Sequence, residues 1–261
     1  APAGCTAVAD PVFTGVGVAL LTLFDERGDL DGPATGDLAA RLAALGVRGV
    51  VVAGSTGEAA TLSPDERDAL LAAVRAAMPP GVAVVAGTGA PSARQAAELT
   101  RRAAAGGADA VLALSPPLAD DPRPYYDEVA AAAGDVPVLA YHFPRASAPG
   151  IAVEALAGLP VRGLKDSTGD PARLLETLDR FPHPVWVGSS AVLALAGPLG
   201  CAGAILAAAN LDPETAVAAF AGDAAAQRAM LPAHRAASSI RRLKAAVAER
   251  FATSRVARVA S

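Results

Sequence analysis

Hydrophobic and polar positions along the chain divide it into short apolar runs separated by stretches with helical spacing. The apolar runs cover residues 15–24, 47–54, 82–89, 109–115, 137–143, 161–167, 185–190 and 203–210. Most are continuous rather than alternating, as in Gly49-Val50-Val51-Val52-Ala53. Strands buried on both faces read in this way, as in a parallel sheet covered by helices. The intervening stretches, residues 35–45, 64–78, 92–105, 124–133, 153–158, 171–181 and 191–199, predict helices. Ser63-Pro64-Asp65-Glu66 places a cap, a first-turn proline and acidic first-turn residues in order, and Asp170-Pro171 and Asp212-Pro213-Glu214 repeat the device. Gly46 and Gly106-Gly107 close helices. Eight strand–helix alternations in about 210 residues predict an α/β fold of the (β/α)₈ TIM-barrel class. Residues 222–251 add helical spacing without a further strand, so the chain divides into a barrel over 1–221 and a short C-terminal helical extension over 222–261, packed on the barrel. The competing architecture, an open doubly wound sheet, wants a glycine-rich dinucleotide loop after its first strand. Asp25-Glu26-Arg27-Gly28-Asp29 stands there instead.

Composition narrows the function. The formal net charge is −4 and no basic stripe is visible, which argues against nucleic acid as a partner. No apolar run is long enough to span a bilayer. Residues 1–11 lack the basic and apolar regions of a signal peptide, so the expected location is the cytoplasm. The two cysteines, Cys5 and Cys201, offer neither metal spacing nor a disulfide framework, and Cys201 reads as a small core residue. One detail is sharper. Among 22 basic residues the lysines are Lys165 and Lys244 alone. Arginine serves wherever charge suffices, but a guanidinium cannot lose a proton and attack a carbonyl. Lys244, within Arg241-Arg242-Leu243-Lys244, reads as a solvated or interface charge.

In a barrel of this kind the chemistry sits where strands end and βα loops begin. The polar strand ends are Gly54-Ser55-Thr56-Gly57-Glu58, Tyr141-His142-Phe143-Pro144, Lys165-Asp166-Ser167-Thr168 and Gly188-Ser189-Ser190. Lys165 lies inside a strand pattern, where an unpaired charge is costly. As a structural residue it needs an ion pair with a carboxylate such as Asp166 or Asp170. Adjacent strand residues face opposite ways, which makes Asp166 a poor partner. As a functional residue it is a desolvated amine able to form an imine with a 2-oxo acid. Tyr141 is either a core tyrosine with a satisfied hydroxyl or a proton carrier beside that amine. The Gly54-Ser55-Thr56-Gly57 loop is either a tight turn or a carboxylate cradle built from two hydroxyls and exposed backbone N–H groups.

These segments, with Gly87-Thr88-Gly89-Ala90, occur in the order and approximate spacing of a known family. From about residue 15 to 213 the chain resembles the dihydrodipicolinate synthase / N-acetylneuraminate lyase family, the class I, pyruvate-dependent aldolases. The resemblance implies that Lys165 forms a covalent imine with a pyruvate-like 2-oxo acid, with no other cofactor and no metal. It implies that Tyr141 shuttles protons, that Ser55, Thr56 and Gly57 bind the carboxylate, and that Thr56 also relays to the tyrosine hydroxyl. Gly203 and Ile205 would flank the bound acid, an aldehyde would be the second partner, and the enzyme would be a homodimer or homotetramer.

The chain departs from the family's synthases at two points. Ser115-Pro116-Pro117-Leu118 stands where they carry a relay tyrosine, and Tyr125 and Tyr126 read as packing or interface residues. Ala146 stands where they place a substrate-gripping arginine, with Arg145 one position earlier as a candidate substrate contact. The expected function is therefore a carbon–carbon lyase, a 2-keto-3-deoxy acid aldolase. The alternatives are a 4-hydroxy-tetrahydrodipicolinate synthase or an imine-dependent dehydratase, and beyond them a non-catalytic paralogue that binds a 2-oxo acid.

Overall fold

The computed structural model describes residues 10–259, so Cys5 and most of the stretch read for a signal peptide lie outside the described residues. Eight parallel strands pair in sequence order and close on themselves, β8 against β1. The strands are β1 (Gly15–Ala19), β2 (Gly49–Val52), β3 (Ala83–Gly87), β4 (Ala110–Leu114), β5 (Val138–His142), β6 (Gly163–Asp166), β7 (Val185–Val187) and β8 (Gly203–Leu206). The helices between and after them are α1 (Gly32–Ala44), α2 (Pro64–Ala77), α3 (Ala93–Ala105), α4 (Arg123–Ala133), α5 (Val153–Leu156), α6 (Pro171–Arg180), α7 (Leu193–Ala196) and α8 (Pro213–Phe220). The chain is thus a (β/α)₈ barrel.

The caps explain most helix boundaries. Ser63 accepts a hydrogen bond from Glu66 N while Glu66 accepts one from Ser63 N, a reciprocal capping box. Asp31, Asp170 and Asp212 cap α1, α6 and α8, each followed by a proline in the first turn. Asp31 starts α1 three residues earlier than the apolar spacing alone predicts. The strands are shorter than the apolar runs. The run over 15–24 leaves the sheet after Ala19, and Phe24 instead bridges Leu30 in an antiparallel contact. The run over 203–210 likewise turns off after Leu206. In both cases the extra apolar residues are buried under loops at the C-terminal end of the barrel, so hydrophobicity continues where pairing does not.

Two layers of core follow from the continuous runs. Side chains facing outward pack under the helices, and a separate interior cluster fills the barrel: Phe13, Ala19, Val51, Val85, Leu112, Leu139, Tyr141, Trp186 and Ile205 among others. Phe13 and Trp186 lie with ring centroids 5.5 Å apart inside the barrel. Glycines make room for them: a Cβ at Gly49 would fall 2.6 Å from the Phe13 ring, and one at Gly203 would fall 2.8 Å from Trp186. Tyr125 and Tyr126 are buried packing residues, their hydroxyls bonded to Ala90 N and Ala113 O. Cys201 is buried, and burial pushes its thiol up to about 11. No helix among the described residues is long and apolar enough to cross a membrane.

Beyond α8 come α9 (Ala224–Ala229), α10 (Leu231–Ala236) and α11 (Ile240–Phe251). Here one sequence expectation fails. Lys244 of α11, expected as a solvated or interface charge, is fully buried within the chain itself. Its Nζ lies 2.5 Å from Glu58 Oε1, donates to Val256 O at 2.6 Å and sits 4.4 Å from the Phe24 ring centroid. The other Glu58 oxygen accepts the backbone N–H groups of Arg258 and Val259. Burial pulls Lys244 below the ordinary lysine value, opposed by its bond to Glu58. Breaking such a buried pair by removing one partner costs about 3–5 kcal/mol, because the remaining charge has no water to return to. Arg258 adds bonds to Gly28 O, Thr61 O and Glu66. That guanidinium, together with the Ser63 cap, holds the Glu66 carboxyl down at about 2. The last described residues are therefore tied to the loop that carries Ser55 and Thr56.

Candidate active site

Lys165 and Tyr141 face each other across neighbouring strands. They are register partners between β6 and β5, and Lys165 Nζ sits 4.2 Å from the centre of the tyrosine ring. Lys165 is 4 % exposed, and among the described residues no carboxylate lies within ion-pair distance of it. Its neighbour Asp166 points the other way, as strand alternation requires. Asp166 is buried against Arg173 of α6 at 2.7 Å and also holds Thr168. His142 likewise faces the helix layer, where Nδ1 accepts the N–H of Ile151 at 2.8 Å. Burial, reinforced by the Arg173 charge, lowers its imidazolium to about 4, so it is neutral near pH 7. Two of the polar residues at these strand ends thus brace the scaffold, and the two between which they alternate face the cavity.

Ser167, two residues beyond Lys165 and hence on its face, donates a hydrogen bond to Tyr141 Oη at 3.3 Å. Phe143 stacks on the same tyrosine, with ring centroids 5.9 Å apart and planes 10° from parallel. The tyrosine is therefore fixed from two sides. Gly188, at the end of β7, is required by close approach: a Cβ there would fall 1.8 Å from Ser167 Oγ and 3.0 Å from Lys165 Cε.

The loop after β2 is bracketed by two non-glycine residues in the left-handed region, Ala53 at φ 51° and Glu58 at φ 56°. Such conformations persist only where the surroundings impose them. Thr22 Oγ1 donates to Gly57 O at 2.7 Å, and Glu58 is held by the C-terminal segment. Between these anchors Ser55 and Thr56 face a cavity of about 380 Å³. Asn210 closes the neighbouring rim, accepting from Leu21 N and donating to Ala19 O across the β8–β1 seam.

The cavity brings together Ser55, Thr56, Tyr141, Arg145 and Lys165 of the sequence-predicted set. Three others do not border it. Gly57 is buried behind the loop, where an added Cβ would meet Leu20 O at 2.9 Å. Gly203 lies deeper in the barrel against Trp186, and Ile205 belongs to the interior cluster. Along β8 it is Leu206, with Ala207 and Ala208 after it, that reaches the cavity. The family resemblance points to Gly203 and Ile205 of β8, whereas the cavity opens one residue further along the strand, at Leu206. Sequence reasoning passed over Ser167, although a spacing of two from Lys165 marks the shared strand face. It did not single out His234 of α10 either. That histidine lines the cavity with Ser189, Ser190, Ser238 and Ser239, and no local signal announces that contact. Among the described residues no group of three or more His, Cys, Asp or Glu is placed to hold a metal ion.

Comparison with known proteins bears on the family and the fold. The family model described as the dihydrodipicolinate synthetase family matches residues 12–256. An uncharacterized DapA-like lyase of Halobacterium salinarum is 37 % identical over 217 residues, 80 % of this chain and 71 % of that protein. The 4-hydroxy-tetrahydrodipicolinate synthase of Pseudomonas aeruginosa is 34 % identical over 243 residues, 86 % of this chain and 83 % of the synthase. Among solved structures, YagE, a prophage protein of the dihydrodipicolinic acid synthase family from E. coli K12 in complex with pyruvate, superposes with a TM-score of 0.88 at 26 % identity, covering 96 % of this chain and 93 % of that one.

Proposed function

Because the chain belongs to the dihydrodipicolinate synthetase family and is a lyase of the aldolase type, we propose that it makes or breaks the carbon–carbon bond next to the pyruvate unit of a 2-keto-3-deoxy acid. The observation that carries this reading is the Lys165 amine, buried at the C-terminal mouth of the barrel beside Tyr141 and free of any carboxylate partner among the described residues. The family's chemistry runs through an imine between a lysine and pyruvate and calls on no metal. Here Lys165 Nζ attacks C2 of the 2-oxo acid, and the carbinolamine loses water to give the imine. Protonated, the imine is an electron sink: when the bond between C3 and C4 breaks, its electron pair flows into the imine to form an enamine. The proton of the C4 hydroxyl passes to Tyr141, whose own proton has gone to the departing water, as C4 becomes the aldehyde carbon. Tyr141, its hydroxyl fixed by Ser167, moves protons at the carbinolamine and at C3. Ser55 and Thr56 take the carboxylate, and Arg145 stands at the rim as a further contact for an anionic substrate.

A second reading, 4-hydroxy-tetrahydrodipicolinate synthase, is favoured by the names of several relatives. Against it stand Leu118, which can donate no proton where the resemblance expects a relay hydroxyl, and Ala146, which cannot grip a carboxylate. The two readings separate in one assay. Activity with a hydroxylated 2-keto-3-deoxy acid is expected to exceed activity with aspartate semialdehyde and pyruvate. A higher kcat/KM for aspartate semialdehyde than for any sugar-derived acid overturns the aldolase reading.

We also propose a homodimer or homotetramer. Leu118 supports it: an apolar side chain 89 % exposed, held at φ 58° beside the mouth of the barrel. Light scattering that gives a monomer at micromolar concentration refutes this.

A further inference from the structure

The loop that carries Ser55 and Thr56 is held from behind by residues remote in the chain. Its backbone folds back at Glu58, where Glu58 N donates to Ser55 O and Ala59 N to Gly54 O, each at 3.2 Å. Glu58 keeps a left-handed backbone, φ 56° and ψ 37°, at the head of a short 3₁₀ turn over Ala59–Thr61. Its side chain is buried outside the cavity. One carboxylate oxygen lies beside Lys244 Nζ, and the other accepts from Arg258 N and Val259 N, both at 2.8 Å. The Arg258 guanidinium bonds Thr61 O at the end of the 3₁₀ turn and Glu66 in the cap of α2. It rests 4.3 Å from the centre of the Phe24 ring that Lys244 also meets. From the other side Arg67 of α2 donates to Ala59 O at 2.6 Å and to Gly87 O at 3.0 Å. Arg258 and Val259 lie past residue 256, where the match to the family model stops.

A buried ion pair is a poor source of stability, since apolar residues of the same volume often do as well or better. What it supplies here is one geometry. A carboxylate with one oxygen on an ammonium and the other on two consecutive N–H groups can sit in one way only, and it fixes the backbone that carries it. Most of the chain's cations are arginine, yet this position keeps lysine, whose charge is a compact point. Groups that bind a substrate have to be held within about 0.5 Å of their productive place. Ser55 and Thr56 stand on a loop, so that precision has to come from its supports. We propose that Glu58, gripped by Lys244 and by residues 256–259, is a positioning residue that sets Ser55 and Thr56 for the carboxylate of the 2-oxo acid. This rests on the reading of those two residues as the carboxylate cradle. Glu58 touches neither the substrate nor Lys165, so its loss falls on affinity for the carboxylate and spares the amine.

Two full-length variants test this: Glu58→Gln, and the double change Glu58→Met with Lys244→Met, which removes both charges at similar volume and keeps the test open where the single change fails to fold. Deuterium exchange over residues 53–62 is expected to quicken in both, with β5 and β6 exchanging as in the wild type. Pyruvate affinity by calorimetry is expected to fall about tenfold, the scale of one hydrogen bond to a charged group. Acetone has a carbonyl but no carboxylate, and its rate of borohydride-trapped adduct formation is expected to stay at the wild-type value. Unchanged exchange in the loop, or faster exchange with unchanged pyruvate affinity, overturns the proposal. An equal loss with acetone also overturns it, since Glu58 would then support the whole site. So does a wild-type chain that binds no pyruvate. If pyruvate affinity depends on Glu58 but borohydride traps no adduct on the wild type, the positioning role stands and the imine chemistry falls.

Discussion

Lys165→Arg is expected to abolish turnover, a loss on the order of 10⁶, the scale seen when an enzyme loses its covalent nucleophile. An arginine keeps the charge but cannot shed a proton and attack C2 of a 2-oxo acid. The site gives the amine no other role: it meets a tyrosine ring at 4.2 Å and no carboxylate among the described residues. Gly188 leaves little spare room around Cε, so Lys165→Met, unbranched and uncharged, serves as the companion variant. Both should retain the circular dichroism of the wild type. Incubation with pyruvate and borohydride should label the wild-type peptide containing Lys165 and leave both variants unlabelled. Labelling of Lys244, or of nothing in the wild type, sinks the assignment. Lys244 is an unsuitable nucleophile on geometric grounds, since its amine is enclosed by Glu58 Oε1, Val256 O and the face of Phe24.

Tyr141→Phe is expected to lower turnover by roughly 10²–10⁴, the usual contribution of a positioned general acid or base. The ring would remain, stacked on Phe143 and under the Lys165 amine, so packing and substrate affinity should change little. What disappears is the hydroxyl that Ser167 holds in place. Imine formation slows as well if the same hydroxyl serves the dehydration step, and single-turnover trapping with pyruvate reads that rate separately from the carbon–carbon step. A Tyr141→Phe enzyme with unchanged turnover would reduce the residue to packing.

The strand–helix alternation and the barrel were legible along the chain because each rests on local periodicity, whereas the pairing of Lys165 with Tyr141, on neighbouring strands, came from their places at strand ends and from the family resemblance. Continuous apolar runs marked strands buried on both faces, Asp-Pro and Ser-Pro pairs marked helix starts, and a period of two separated Lys165 from Asp166. The same period carried the signal for Ser167. Sequence alone also singled out the two lysines, in a chain that uses arginine elsewhere. It could not assign their environments. Lys244 reads as a solvated or interface charge because its partner Glu58 is remote in the chain, and helical spacing says that a position faces inward without saying what meets it there. The depth of the cavity was equally hidden. The resemblance puts Gly203 and Ile205 beside the bound acid, but how far up β8 the packed interior ends depends on Phe13 and Trp186 filling the barrel below. Ser190 and His234 meet only because α9 and α10 fold back over the end of β7. Contacts of that kind are set by how elements pack in three dimensions, and no local pattern in the chain records them.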